Sequence, residues 1–332
     1  MSSFQKPHSA ARPAAFGLTD LGLIATAMIW GAHYSVLKVG LQTLHPFTFS
    51  AIRLVSAFII LIVLAASLRN RPWPSRKDMV ALMALGLIGN GLYQLLFMEG
   101  MTTTRAGIAA LIIAASPAWV AIIGRLMGRE RVSSRAWTGI ALQLTGVACV
   151  VLSSNMLAEH GSALVGTLLI CGGGILWSLY SVLLQPYTGR VHPLHLSAIT
   201  LSGGALLMLI IASRDLVHLD FRTLGVPAWS ALAYSSIGAM VIAYLLFYRG
   251  IRVLGPTRTA VYGNLQPIVA IFVAWLLVNE APSAWQWVGT LLITGGLLMS
   301  RTATVNATEP APPGLAVDEP TPNAITREAR TV

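Results

Sequence analysis

The chain has 332 residues, 55% of them hydrophobic and only 10% charged, with a mean hydropathy of +0.71 and a formal net charge of +10. A domain folded in water carries about 25% charged residues, so this chain lacks the polar groups to cover a surface in water, a requirement that lipid solvation removes. The positive charge does not indicate a nucleic-acid partner either, because Lys and Arg sit in short segments between apolar runs instead of on one soluble face.

In chain order, residues 1–16 are polar and read as a cytoplasmic N-terminal segment without a secretory signal, since the apolar run that follows is long enough to span uncleaved. A spanning helix needs about 20 apolar residues. Ten segments qualify, at 17–40, 47–68, 78–98, 104–126, 134–154, 162–185, 194–213, 227–248, 257–278 and 284–301. Turn and charge signals separate them, such as Arg71-Pro72-Trp73-Pro74 and Gly255-Pro256. The stretch 302–332 is rich in Pro, Ala, Thr and charge, and predicts a disordered cytoplasmic tail. Cys149 and Cys171 lie inside apolar runs and read as buried thiols with no disulfide role.

The apolar segments repeat. Leu95, Leu96, Phe97 and Gly100 recur 150 residues later as Leu245, Leu246, Phe247 and Gly250. Pro117, Glu130, Ser133, Trp137, Gly139, Leu142 and Gly146 recur as Pro267, Glu280, Ser283, Trp287, Gly289, Leu292 and Gly296. The first repeat spans 17–154 and the second 162–301. With the N-terminus inside, most Lys and Arg of the loops fall on the cytoplasmic side, including Arg69, Arg71, Arg76, Lys77 and Arg125. Arg105, Arg214 and Arg222 are the exceptions. Both termini are then cytoplasmic. Five helices per half is an odd number, so helices 1 and 6 enter from opposite sides. The expected fold is therefore an all-α membrane protein of ten transmembrane helices in two inverted five-helix repeats, an arrangement suited to alternating access.

Uncharged polar and aromatic residues recur at helical spacing. Helix 1 carries Trp30, Tyr34 and Lys38 at i, i+4, i+8, with His33 beside them. Helix 3 carries Asn90, Tyr93, Gln94 and Phe97 at i, i+3, i+4, i+7. Helix 6 contributes Trp177 and Tyr180, helix 8 Tyr244 and Tyr248, and helix 9 Tyr262 and Gln266 with Asn264 nearby. Such groups either line a cavity for a small, partly apolar solute or bond and pack between helices. Their appearance in equivalent helices of both halves favours the cavity. Lys38 either snorkels to the outer interface or meets an anionic substrate group. Arg53, about one turn into helix 2 and near the outer side, is either paired or bonded to backbone, the favoured reading, or a substrate contact. Glu99, at the outer end of helix 3, is either a solvated cap, the favoured reading, or a partner of Arg53, Lys38 or Arg105 and a candidate proton-coupling site. His33, the histidine deepest in a helix, is either a bonded packing residue or a coupling group. Pro117 and Pro267 interrupt their helices at matched positions and are candidate hinges. Ser283-Ala-Trp-Gln286 fits a capping box, and the paired glycines of helices 5 and 10 suit close packing.

Trp30-Gly31 with Lys38, Pro46 with Arg53, Pro117, and the Glu130–Gly139–Gly146 run with its repeat at Pro267, Glu280, Gly289 and Gly296 resemble the EamA-type transporters of the drug/metabolite transporter superfamily. The resemblance covers residues 17–301. It implies ten helices, inverted five-helix repeats and a central cavity lined by helices 1, 3, 4, 6, 8 and 9. It also implies transport of small metabolites, often amino acids. Among bacterial members, the amino-acid exporters, including those handling aromatic amino acids, look closest.

The expected function is thus secondary transport of a small metabolite, an amino acid by this resemblance, out across the bacterial inner membrane. The expected partners are the solute and the lipid bilayer, for a monomer or a homodimer, with no nucleic acid, cofactor or metal. The rivals are a nucleotide-sugar or phosphate-ester carrier, which calls for several basic residues in the cavity, and a non-transporting membrane sensor. An enzyme calls for paired ionisable residues at one depth, a pattern this chain lacks.

Overall fold

The computed structural model describes residues 17–68, 71–128, 133–153, 162–254, 262–263 and 265–304, and among them all regular structure is helical. Residues 1–16 and 305–332, with the expected N-terminal segment and most of the expected tail, lie outside the described residues, as do Glu130 and Asn264.

The elements in chain order are α1 (Leu18–Leu41), α2 (Pro46–Ala66), α3 (Arg76–Thr103), α4 (Ala106–Leu126) and α5 (Ser134–Ser153). They continue with α6 (Ser162–Thr188) and α7 (Pro193–His218). A 3-10 turn at Phe221–Thr223 precedes α8, which runs through the consecutive pieces Val226–Ala233, Tyr234–Ile242 and Ala243–Leu254. α9 (Leu265–Val278) and α10 (Ala284–Thr304) complete the series. Among the described residues, six helices are long and apolar enough to cross a membrane: α2, α3, α4, α6, α7 and the Val226–Phe247 part of α8. α1 has the length, but Asp20, His33, Tyr34 and Lys38 dilute its hydropathy.

Local chemistry sets the helix starts. Proline stands at the first position of both α2 and α7, where its fixed φ suits the helix and its missing N–H costs nothing. Ser75 caps α3 by accepting from the Asp78 N–H at 3.1 Å. The expected capping box opens α10: Gln286 N–H donates to Ser283 Oγ at 3.2 Å, and Ser283 N–H donates to Gln286 Oε1 at 2.8 Å. Glu280 caps α4 from a distant part of the chain, its Oε2 accepting from the Ala106 N–H at 2.8 Å.

Large apolar side chains point outward, among them Ile210 at 62% exposure and Leu291 at 74%. In water such faces are a liability, whereas in a bilayer they are the solvated surface. Small residues face inward instead. Gly139 of α5 lies against the Gly296 carbonyl of α10, and Gly146 against the Gly289 carbonyl, so the expected glycine pairs do bring these two helices together.

The other packing partners follow a pattern. α2 packs on α7, α1 on α8 and α9, and α6 on α3 and α4. Under the sequence repeat, α1 corresponds to α6, α3 to α8 and α4 to α9. The pairs α1–α8 and α1–α9 therefore map onto α6–α3 and α6–α4.

Candidate functional site

The site starts from a backbone irregularity. Leu87–Leu92 in α3 and Tyr234–Ile242 in α8 are π-helical. The 150-residue register carries 87–92 onto 237–242, so the wide turns fall on matched stretches. Tyr93 N–H donates to the Ile88 carbonyl, and Ala243 N–H to that of Gly238. A π turn accommodates one extra residue and turns the side chains after it by about 100° relative to a regular α-helix. The face expected for Asn90, Tyr93, Gln94 and Phe97 is divided accordingly. Asn90 borders a crevice, Tyr93 lies tilted against Trp177, Gln94 meets Arg53, and Phe97 packs edge-on against Tyr34.

Arg53 is the largest departure from the sequence reading. It lies two turns into α2 and is buried at 1% exposure, held by side chains of α1 and α3. One Nη donates to Gln94 Oε1 at 2.5 Å and the other lies 3.2 Å from His33 Nε2. A guanidinium has no acceptor, so His33 Nε2 must accept, and its proton is assigned to Nδ1. The guanidinium also lies 3.5 Å from Met98 Sδ, while its buried Nε–H meets no acceptor. Among the described residues the ion pairs are His45–Asp215 and Arg190–Asp78, so no described carboxylate lies within ion-pair distance of Arg53.

Aromatic rings surround this cluster. His33 stacks on Tyr234 with centroids 6.5 Å apart, and the Tyr234 hydroxyl donates to the Ile29 carbonyl at 2.9 Å. The Trp30 indole N–H donates to the Ala239 carbonyl, inside the π segment of α8, at 2.9 Å. The Trp30 ring lies against Tyr244 and Phe247. Tyr34, Phe97, Tyr93, Trp177 and Tyr180 form a chain of neighbouring rings with centroid separations of 5.3 to 6.0 Å. Two helices of the first half, α1 and α3, thus share this aromatic lining with α6 and α8 of the second.

Two narrow crevices lie among these rings. One is bordered by Asn90, Tyr180, Ser197, Thr200, Met240 and Tyr244. The other lies between α1, α8 and α9 and is bordered by Trp30, Tyr262 and Gln266. Tyr262 donates to Asp20 Oδ1 at 2.5 Å, which ties the start of α1 to the approach to α9. Tyr248 falls outside the described side chains, and Lys38 is half-buried near the far end of α1. Glu99 is exposed. His195, in the first turn of α7, is a buried histidine; its Nε2 lies 3.3 Å from the Ala65 carbonyl.

Pro117 coincides with a break in α4: the helix stops at Ala114 and restarts at Ser116, with Ala115 at φ −83°, ψ 0° between them. Pro267 sits in the first turn of α9 as described. Ser178 Oγ of α6 donates to the Ser116 carbonyl at 3.2 Å, next to the break.

Arg53, Thr200, Tyr234 and Asp20 are missing from the residues that helical spacing selects. A second register exposes the first two. His45-Pro46 and Ser50-Ala51-Ile52 recur 147 residues later as His192-Pro193 and Ser197-Ala198-Ile199, which sets Arg53 opposite Thr200. The same offset sets His33 opposite Tyr180, and the 150 offset sets Gln94 opposite Tyr244. The charged cluster of the first half and the Thr200 crevice of the second therefore occupy equivalent positions.

The family model for EamA-like transporters matches the chain over residues 17–152 and 164–302. The chain is 25% identical to a protein named uncharacterized transporter YyaM of Bacillus subtilis (strain 168), over 83% of this chain and 91% of that one. It is 26% identical to an uncharacterized transporter of Archaeoglobus fulgidus, over 85% and 96%. It is 25% identical to the uncharacterized inner membrane transporter YedA of Escherichia coli (strain K12), over 83% and 88%. A solved crystal structure with 19% identity superposes with a TM-score of 0.58 over 86% of this chain and 96% of that one, which places the two in one fold.

Proposed function

The chain belongs to the EamA-like transporter family, and we propose that it is a secondary transporter exporting a small metabolite of the amino-acid class, aromatic members included, across the bacterial inner membrane. Ten spans in two inverted five-helix repeats, with both termini cytoplasmic, provide alternating access. The observation that carries this reading is the composition of the site. Equivalent helices of the two halves, α1 with α6 and α3 with α8, supply the rings and amides around the cluster, including Trp30, Tyr93, Gln94, Trp177, Tyr180 and Tyr244. Contacts shared by both halves are the ones that change when the halves rock against each other. Aromatic walls with a few fixed polar groups suit a solute that is part apolar and part polar. The break at Pro117 and the turn at Pro267 act as hinges in this scheme.

Purified protein in liposomes, tested for exchange of labelled amino acids, decides the matter. Gln94→Ala and Tyr244→Ala are expected to slow exchange while leaving the amount of protein in the membrane unchanged. Exchange no faster than in empty vesicles for every amino acid tested refutes the substrate class.

A further inference from the structure

We propose that Arg53, with His33 and Gln94 beside it, is the subsite that receives the carboxylate of the transported solute, and that the crevice at Asn90, Tyr180, Thr200 and Tyr244 holds the rest of the molecule. The proposal rests on the transporter reading and narrows it to solutes that carry one negative group.

Burial of an arginine inside a membrane bundle is costly unless the charge is paired. Here the partners that hold the guanidinium are all neutral: an imidazole, an amide and a thioether. They fix its position without neutralising it. The Nε–H remains without an acceptor, although the residue is 1% exposed. A planar fork of donors with an open position is the geometry that accepts a carboxylate.

The fold itself does not call for this charge. Thr200 occupies the equivalent position in the second half, where its hydroxyl donates to the Leu196 carbonyl of its own helix at 2.9 Å. Arg53 therefore has no charged counterpart in the second half, and what singles it out is the open donor on a buried guanidinium. The two subsites adjoin. Asn90 on the crevice lies one helical turn from Gln94 at the arginine, and Tyr244, the counterpart of Gln94 in the second half, borders the same crevice. A solute lying between them has its charge at Arg53 and its body among the rings. A single arginine matches a carboxylate, whereas a phosphate dianion leaves one charge unpaired.

The test uses full-length protein in liposomes and a panel of labelled amino acids with their amides, such as phenylalanine and phenylalaninamide, corrected for empty vesicles. The acid is expected to move about ten- to a hundredfold faster than its amide, the range a hydrogen-bonded charge supplies. In Arg53→Gln this ratio is expected to fall towards one, and in Arg53→Lys to be partly retained. Equal rates for acid and amide in the wild type overturn the subsite while the transporter reading stands. So does an Arg53→Gln protein that keeps the ratio. Transport of no member removes both. Should Arg53→Gln fail to fold, the wild-type ratio alone still decides.

Discussion

Gly139→Ala tests how tightly the α5–α10 seam is built. A Cβ at Gly139 stands 2.5 Å from the Gly296 carbonyl oxygen and 2.8 Å from the Ser300 nitrogen, both backbone atoms of α10. Unstrained contacts of carbon begin at about 3.5 Å, so α10 has to withdraw by roughly 0.7 to 1 Å. That movement stretches the 3.2 Å hydrogen bond from Gln143 Nε2 to Ser300 Oγ beyond bonding range. Overpacking costs about 1–3 kcal/mol and the lost hydrogen bond about 1 kcal/mol. Alanine recovers about 1 kcal/mol through its better helix propensity. The net expectation is a loss of about 1–3 kcal/mol. Gly174→Ala in α6 is the control, because its nearest side-chain atoms are 3.6 Å (Ile113 Cδ1) and 3.8 Å (Ser116 Oγ) away. It gains the same propensity without the clash and is expected to stabilise by up to about 1 kcal/mol. Thermal unfolding of the two detergent-purified variants, followed by tryptophan fluorescence, compares them directly. A Gly139→Ala protein as stable as Gly174→Ala refutes the argument.

Trp30→Phe removes the donor to Ala239 but keeps a ring against Tyr244 and Phe247. It is expected to cost about 1–3 kcal/mol for the carbonyl left unsatisfied and to slow exchange severalfold in liposomes; unchanged exchange argues that the tie from α1 to the π segment has no part in transport. Ser283→Ala deletes one arm of the capping box of α10 and is expected to lower stability by about 1 kcal/mol with exchange intact; a loss of exchange in folded protein places α10 in the transport cycle.

Much of the scaffold was legible because its signals are local. The Ser283–Gln286 box needs only a serine and a glutamine three residues apart. The glycine pairs of α5 and α10 need only small residues at one spacing. The break at Pro117 follows from a ring that removes an N–H. Arg53 was misread for a local reason as well: near the start of a span, a cation looks like an interfacial residue. Its burial depends on which neighbours close over it. Neither His33 nor Gln94 carries a sequence signal pointing to α2.

Sequence alone determined that lipid solvates this chain, that its halves repeat, and that Ser283 and Gln286 open the last helix. Composition, spacing and capping are read over a few residues at a time, and those terms do not depend on how helices meet. Tertiary structure decided which polar groups face one another. The π turns of α3 and α8 rotate the side chains beyond them by about 100°, away from the stripe that 3.6-residue spacing predicts. The meeting of Arg53 with His33 and Gln94 depends on three helices approaching with those rotations already in place.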